Sequence, residues 1–332
     1  MATTLWRYRM VNTVTGQVSA DRLGWTLMHE HFYFAYPGWQ ADATMAPFDR
    51  DEALRVGLRV CETLKAAGIQ TMVDATPNDT GGREPLLYRE LARMTGINII
   101  CVTGLFTESR GAPVYWKVKM AYGADIAQMI AELFITELVE GIGNTGVRAG
   151  LIKVASSARM TQYEEETHRA AVMAQKATGA PIITHTDELS GIEQADFLLR
   201  HGADPRKVLI GHVTNSSEVD YHRAILKKGV YICFDRLGVT AAFSASDEVN
   251  VRNIATLVKE GYARQIMLSH DTVSLSLGRV VPNTGSGRQA QAVRSVDHIS
   301  RNIIPALKAS GVSDEQIWTM MVENPRRFFT GA

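Results

Sequence analysis

Two imidazoles one residue apart are the first chemistry this chain offers. His29-Glu30-His31 closes an apolar run, and alternate residues of a strand share a face, so the two histidines point one way with Glu30 between strand and helices. Alone, such a pair fits hydrogen-bonded core histidines as well as a metal site. The arrangement recurs, however. Ile182-Ile183-Thr184-His185 and Leu209-Ile210-Gly211-His212 each end in histidine, and Met267-Leu268-Ser269-His270-Asp271 ends in a carboxylate. Imidazole mixed with carboxylate suits borderline divalent ions such as zinc, manganese, cobalt or iron.

The elements that must position these groups follow from periodicity. Strand-like runs fall at 25–31, 69–75, 97–105, 147–154, 181–185, 208–212, 230–234 and 265–269. Between and after them lie amphipathic stretches at 51–67, 84–95, 125–140, 163–178, 191–201, 217–228, 248–261 and 292–310. Strand and helix alternate eight times with no composition break, which predicts an α/β chain folded as a single (β/α)8 TIM barrel domain over 1–332, with a doubly wound sheet as the alternative. In the barrel, the histidines and Asp271 meet at the C-terminal ends of the strands, the face where long connections at 107–124 and 272–291 also lie. Leu275, Leu277, Val280 and Val281 of the second connection fit an apolar channel or simple loop packing. His168, His201, His222 and His298 fall in helical stretches and are expected at the surface or at helix ends, and Glu164-Glu-Glu166 is expected as a solvated first turn.

Lys153, in Ala149-Gly-Leu-Ile-Lys-Val-Ala155, is the residue a barrel interior should not contain. A buried ammonium is costly to desolvate and repels cations. Three chemistries accommodate it: a side chain reaching water at the mouth, a Schiff-base lysine, or a neutral amine that takes up carbon dioxide. The last gives a carbamate, an oxygen-donor anion able to bridge two metals.

Composition narrows the partners. Among 332 residues, 35 Lys and Arg balance 35 Asp and Glu, with 45% hydrophobic and 21% charged residues. Such a neutral chain with no basic block predicts neither a nucleic-acid track nor attraction to an anionic membrane, and no run approaches a membrane span. Cys61, Cys101 and Cys233 sit singly among apolar neighbours and Arg7 and Arg9 interrupt the N-terminus, so a cytoplasmic protein with buried free thiols is expected.

Taken together, Gly24-Trp-Thr-Leu-Met-His-Glu-His31, Val73-Asp-Ala-Thr76, Arg148-Ala-Gly-Leu-Ile-Lys-Val-Ala155, Ile183-Thr-His-Thr186, Ile210-Gly-His212, Phe234-Asp-Arg236, Leu268-Ser-His-Asp271 and Glu323-Asn-Pro-Arg-Arg-Phe-Phe329 resemble the phosphotriesterase family of the amidohydrolase superfamily. Tyr36-Pro-Gly38, Asp74-Ala-Thr-Pro-Asn78 and Phe234-Asp-Arg236 resemble its phosphotriesterase-like lactonases. The resemblance implies two divalent ions (zinc, cobalt, manganese or iron). His29, His31 and Asp271 would hold the more buried one, His185 and His212 the more exposed one, and Lys153, as N6-carboxylysine, would bridge them. It further implies a homodimer that hydrolyses small molecules through a metal-bridging hydroxide with Asp271 as base. The expected substrates are aliphatic lactones such as the acyl-homoserine lactones of quorum signalling, with organophosphate triesters as a side reaction. The alternatives are a primary triesterase or a hydrolase of another carboxylate ester or N-acyl amide. Phe106, Arg236 and Tyr36 are the expected substrate contacts, with Trp116 a further candidate for the pocket wall. Three positions depart from the family pattern: Arg236 and Asn215 stand where organophosphate hydrolases carry a histidine and an acid, and Phe106 stands where lactonases carry a tyrosine. Arg236 would either orient a substrate oxygen or pair with Asp235.

Overall fold

Each of the eight apolar runs becomes a strand. The computed structural model describes residues 10–241, 243–279 and 295–332. A short antiparallel hairpin, β1 (Met10–Thr13) and β2 (Gly16–Ser19), precedes the main sheet. The sheet contains β3 (Thr26–Phe34), β4 (Thr71–Asp74), β5 (Asn98–Gly104), β6 (Leu151–Ser156), β7 (Ile182–Thr186), β8 (Val208–Ile210), β9 (Tyr231–Phe234), β10 (Ile266–Leu268) and β11 (Val273–Ser276). All nine run parallel in the order β10-β9-β8-β7-β6-β5-β4-β3-β11. This is the expected (β/α)8 TIM barrel, with its eighth strand in two pieces: β10 pairs with β9, while β11, beginning five residues later, pairs with β3 through Val273 opposite His31.

The break at 269–272 is held by one side chain. Glu30 Oε1 accepts from Ser269 Oγ, His270 N and His270 Nδ1, each at 2.8 Å, and Oε2 accepts from Thr272 N at 2.9 Å. These bonds satisfy backbone donors that a continuous ladder would have used. Backbone bonds from Asp271 N to His29 O (3.0 Å) and from His31 N to Thr272 O (2.8 Å) complete the join.

Side chains inside the barrel form their own apolar cluster: Met28, Val73, Ile100, Val102, Leu151, Ile183, Leu209, Cys233 and Met267. A second cluster fills the layer between strands and helices. Period two carries the inner face upward from Leu151 to Lys153, from Ile183 to His185 and from Cys233 to Asp235. Two strands need more than alternation. β3 shifts register between Leu27 and Glu30, a bulge that lets His29 as well as Met28 face inward. On β8 the inward place falls to Gly211, where a Cβ would lie 2.2 Å from Thr184 O, and His212 turns in by adopting φ 55°. Asp271 has the same left-handed φ of 55°. Such backbone costs energy and concentrates at functional sites.

Some expectations are corrected. His168 and His222 are fully buried, not surface residues, because their helices pack those faces inward. Glu164 is also buried; it completes a capping box and accepts from Ser157 N and Glu108 N, tying two barrel-face loops together. The connection 107–124 contains an unforeseen helix, Val114–Ala121. The last expected helix shows a π-helical turn, Ile299–Ile303, before Ile304–Ala309, and its residues 292–294 lie outside the described residues, as do Val280 and Val281. The three cysteines are free and buried. No helix among the described residues is long and apolar enough to cross a membrane.

Candidate metal centre

The six residues expected as ligands converge at the C-terminal ends of the strands. His29 Nε2 lies 2.8 Å from Lys153 Nζ and 3.6 Å from Asp271 Oδ1, and His31 Nε2 is 3.3 Å from the same oxygen. Across the barrel, His212 Nε2 is 2.7 Å from His185 Nδ1 and 3.9 Å from Asp271 Oδ2. Close approach of strands makes this possible: at Gly104 a Cβ would stand 1.9 Å from Lys153 O.

What aims the imidazoles is a shell of outward partners that sequence reasoning largely missed. Asp235, fully buried on the inward face after β9, accepts from His29 Nδ1 (2.8 Å), His212 Nδ1 (3.0 Å) and His212 N (2.7 Å). The parity of β9 places Asp235 inward beyond Cys233, the one signal in the sequence that points to it. His31 Nδ1 meets Thr76 Oγ1 at 2.8 Å, whose own proton goes to Tyr33 O, and His185 Nε2 meets Asp187 Oδ1 at 2.9 Å. Spending the outward nitrogen as donor leaves the inward nitrogen of each ring with a lone pair, the state in which imidazole ligates. The facing His212 Nε2 and His185 Nδ1 then present two lone pairs to each other, which only a shared proton or a cation relieves. The donor set therefore fits divalent ions. His29, His31 and Asp271 form one compact group able to hold an ion. His29, His212 and Asp235 form another, but there Asp235 is already saturated by its hydrogen bonds and acts as support.

Electrostatics agree. Burial, reinforced for His29 by Lys153 and for His185 by His212, holds both imidazoles below their usual range, and burial with Arg236 pushes His212 down to about 3. These rings are neutral at pH 7. Burial disfavours charge on Asp271, but His212, the His31 hydrogen bond, His29 and Arg236 outweigh it and keep the carboxylate ionised. Burial brings the Lys153 ammonium down to about 8 against the pull of Asp271 and Asp235, so a neutral fraction exists near pH 7.

The expected substrate contacts divide. Phe106 is buried, its ring edge-on to His185 with centroids 4.8 Å apart. Tyr36 is exposed and packs on Phe34, which also contacts His31 and Phe106. Arg236 does not pair with Asp235. Its Nε donates to Asp271 Oδ2 (3.0 Å) and its Nη1 to Asn215 Oδ1 (2.7 Å), while Asn215 Nδ2 donates to Thr186 O (2.9 Å) and Glu188 O (3.0 Å). Trp116 packs against Tyr115 and the core cluster.

This arrangement can be compared with known proteins. The Phosphotriesterase family profile matches residues 9–329. The chain belongs to the phosphotriesterase family. Family members are binuclear metal-dependent hydrolases, and this chain is a metal-dependent hydrolase of that family. It superposes with a TM-score of 0.91 on an organophosphorus hydrolase from Deinococcus radiodurans, at 43% identity covering 97% of each chain. A mutant of a PTE-like lactonase from Deinococcus radiodurans gives the same TM-score at 42% identity, covering 96% of this chain and 99% of the other. An aryldialkylphosphatase from Saccharolobus solfataricus is 33% identical over 321 residues, covering 94% of this chain and 97% of that protein.

Proposed function

We propose that this phosphotriesterase-family chain is a lactonase acting on acyl-homoserine or other aliphatic lactones, with slower turnover of organophosphate triesters. His29, His31 and Asp271 would hold the more buried ion, His185 and His212 the more exposed one, with Lys153 between them as a carbamate. Its uncharged amine would add to carbon dioxide and lose a proton, replacing a cation by a bridging anion. Zinc, cobalt, manganese and iron all suit these donors. Bound together, two such ions supply an activated water near neutral pH and polarise the substrate's C=O or P=O oxygen.

The observation that carries the lactone reading is the Asp271–Arg236–Asn215 chain. Asp271 Oδ2 is occupied by the Arg236 guanidinium, which cannot accept a proton, and Asn215 beyond it cannot relay one. A proton taken from the attacking water by Asp271 would then pass to the departing group rather than outward through Arg236 and Asn215. A lactone's alkoxide is basic and needs that proton; an aryl phosphate expels a stable phenolate and does not. Phe106 and Phe34 give the acyl portion an apolar wall beside His185 and His31. A primary triesterase is the second reading, favoured by the similarity to an aryldialkylphosphatase. The family resemblance also supports a homodimer, the buried thiols support a cytoplasmic location, and the continuous strand–helix alternation supports one domain.

The test is initial rates on an acyl-homoserine lactone, a δ-lactone, an aryl dialkyl phosphate and an N-acyl amide, after loading with manganese or cobalt and again after chelation. Chelator-sensitive lactone turnover well above triester and amide turnover is expected. Dominant triester or amide hydrolysis would overturn the lactonase reading.

A further inference from the structure

Among the described residues, His185 is the one of the four ligand imidazoles with two opposite partners on its outward nitrogen. Asp187, just past β7, offers Oδ1 as acceptor at 2.9 Å from Nε2. Arg110 arrives from the connection after β5, and its Nη2 stands 3.2 Å from the same Nε2 while also bonding both Asp187 oxygens. The guanidinium crosses the Phe106 ring, Cζ 5.2 Å from the centroid, and that ring packs on His185. By contrast, among the described residues His29 and His212 meet the Asp235 carboxylate alone at Nδ1, and His31 meets a hydroxyl whose proton is directed to Tyr33 O.

A neutral imidazole has one proton for two nitrogens, so these partners give the ring two complete hydrogen-bonding states. In one, Nε2–H donates to Asp187 and Nδ1 turns a lone pair to the site. In the other, Nε2 accepts from Arg110 and Nδ1–H donates to His212 Nε2, 2.7 Å away. Passing between them moves one proton from Nδ1 to Nε2 through solvent and leaves the ring's charge unchanged. The ring therefore stays in place whether or not an ion occupies its inward nitrogen.

We propose that Arg110 and Asp187 are positioning residues that let the exposed half of the metal centre take up and release a divalent ion without losing its geometry. They also tie that exchange to the loop bearing Phe106. This rests on the binuclear assignment above. The Asp187 carboxylate stabilises the loaded state, and the Arg110 donor keeps the empty ring ready for loading.

The experiment uses the full chain loaded with manganese. Metal per chain is measured, then the kinetics of chelator-driven release and of reloading, for the wild type, Asp187→Ala, Arg110→Met and Arg110→Lys, with thermal melting to confirm folding. Two ions in the wild type are expected, and in Asp187→Ala one of them should leave faster by about 10–100-fold, the usual effect of losing an outer partner of a ligand, with the other unchanged. Arg110→Met should reload one ion roughly tenfold more slowly with unaltered release, and Arg110→Lys should restore reloading. Wild-type release and reloading in both Asp187→Ala and Arg110→Met, or equal effects on both ions, would overturn the proposal. A wild type that never binds a second ion would instead overturn the binuclear reading and the proposal with it.

Discussion

Replacing Asp235 by Asn removes the charge that supports two imidazoles at once. The carboxylate accepts three hydrogen bonds, at 2.7, 2.8 and 3.0 Å, from His212 N, His29 Nδ1 and His212 Nδ1. An asparagine keeps one oxygen. That oxygen stays with His212, whose backbone N–H must donate to it, so the amide nitrogen faces His29 Nδ1; two donors cannot share a bond, so His29 must flip its tautomer and carry its proton inward, where it can no longer ligate. Loss of an outer partner typically weakens metal binding about 10–100-fold, or about 1.4–2.7 kcal/mol. Because His29 belongs to the buried half of the proposed centre, the loss should fall mainly on the buried ion. Thr76→Val, which removes the hydroxyl that supports His31 and bonds Tyr33 O, should weaken the buried ion alone. The assay is competition with a calibrated chelator, read as metal per chain for each of the two ions. Asp235→Asn protein that holds both with wild-type affinity would refute the claim that this carboxylate sets the tautomers.

Further outcomes follow from other residues. Asp271→Asn should lose turnover far more than metal content, and equal turnover would exclude Asp271 as the base. Glu30→Ala should destabilise the fold by about 3 kcal/mol or more in urea unfolding, since it strands buried donors of Ser269, His270 and Thr272. Gly104→Ala should fold poorly or melt much lower, because its Cβ would fall 1.9 Å from Lys153 O. His168 and His222 are pushed by burial from 6.5 down to about 4, so the unfolded chain binds protons that the folded one refuses. Their contribution is fully present above pH 6.5 and is lost as pH falls toward 4, by about 3 kcal/mol each at the acid end; urea midpoints at pH 7 and pH 5 should show a fall that His168→Phe reduces.

The barrel and its ligands were legible because both depend on period. Eight apolar runs give eight strand positions, and the same period carries Lys153 and His185 inward above Leu151 and Ile183. Where the backbone breaks its period, the sequence is silent. The β3 bulge, the left-handed turn at His212 and the split of the last strand each re-aim a side chain by one residue, and no residue type announces them. Partners distant in sequence are equally hidden: adjacency makes Asp235 one of two candidate partners for Arg236, although the fold sends the two side chains to different tasks. The burial of His168 and His222 has no signature in the sequence, because a helix's inward face can bury an imidazole on a single hydrogen bond, to Glu164 O for one and Val213 O for the other.

The two-piece eighth strand has a consequence for how the ring is kept shut. A closed barrel has no edge, yet here the seam between first and last strands is bridged by Glu30 on one side and by Asp271, projecting from the break, on the other. An ion gripping His29, His31 and Asp271 would stitch across that seam, so loading would act as a clasp and shift the opening equilibrium by mass action. Amides flanking 269–272 should then exchange with deuterium sooner in chelated protein than elsewhere in the sheet. A slip of one residue along the seam would turn Asp271 outward, so only a correctly closed ring can be fastened.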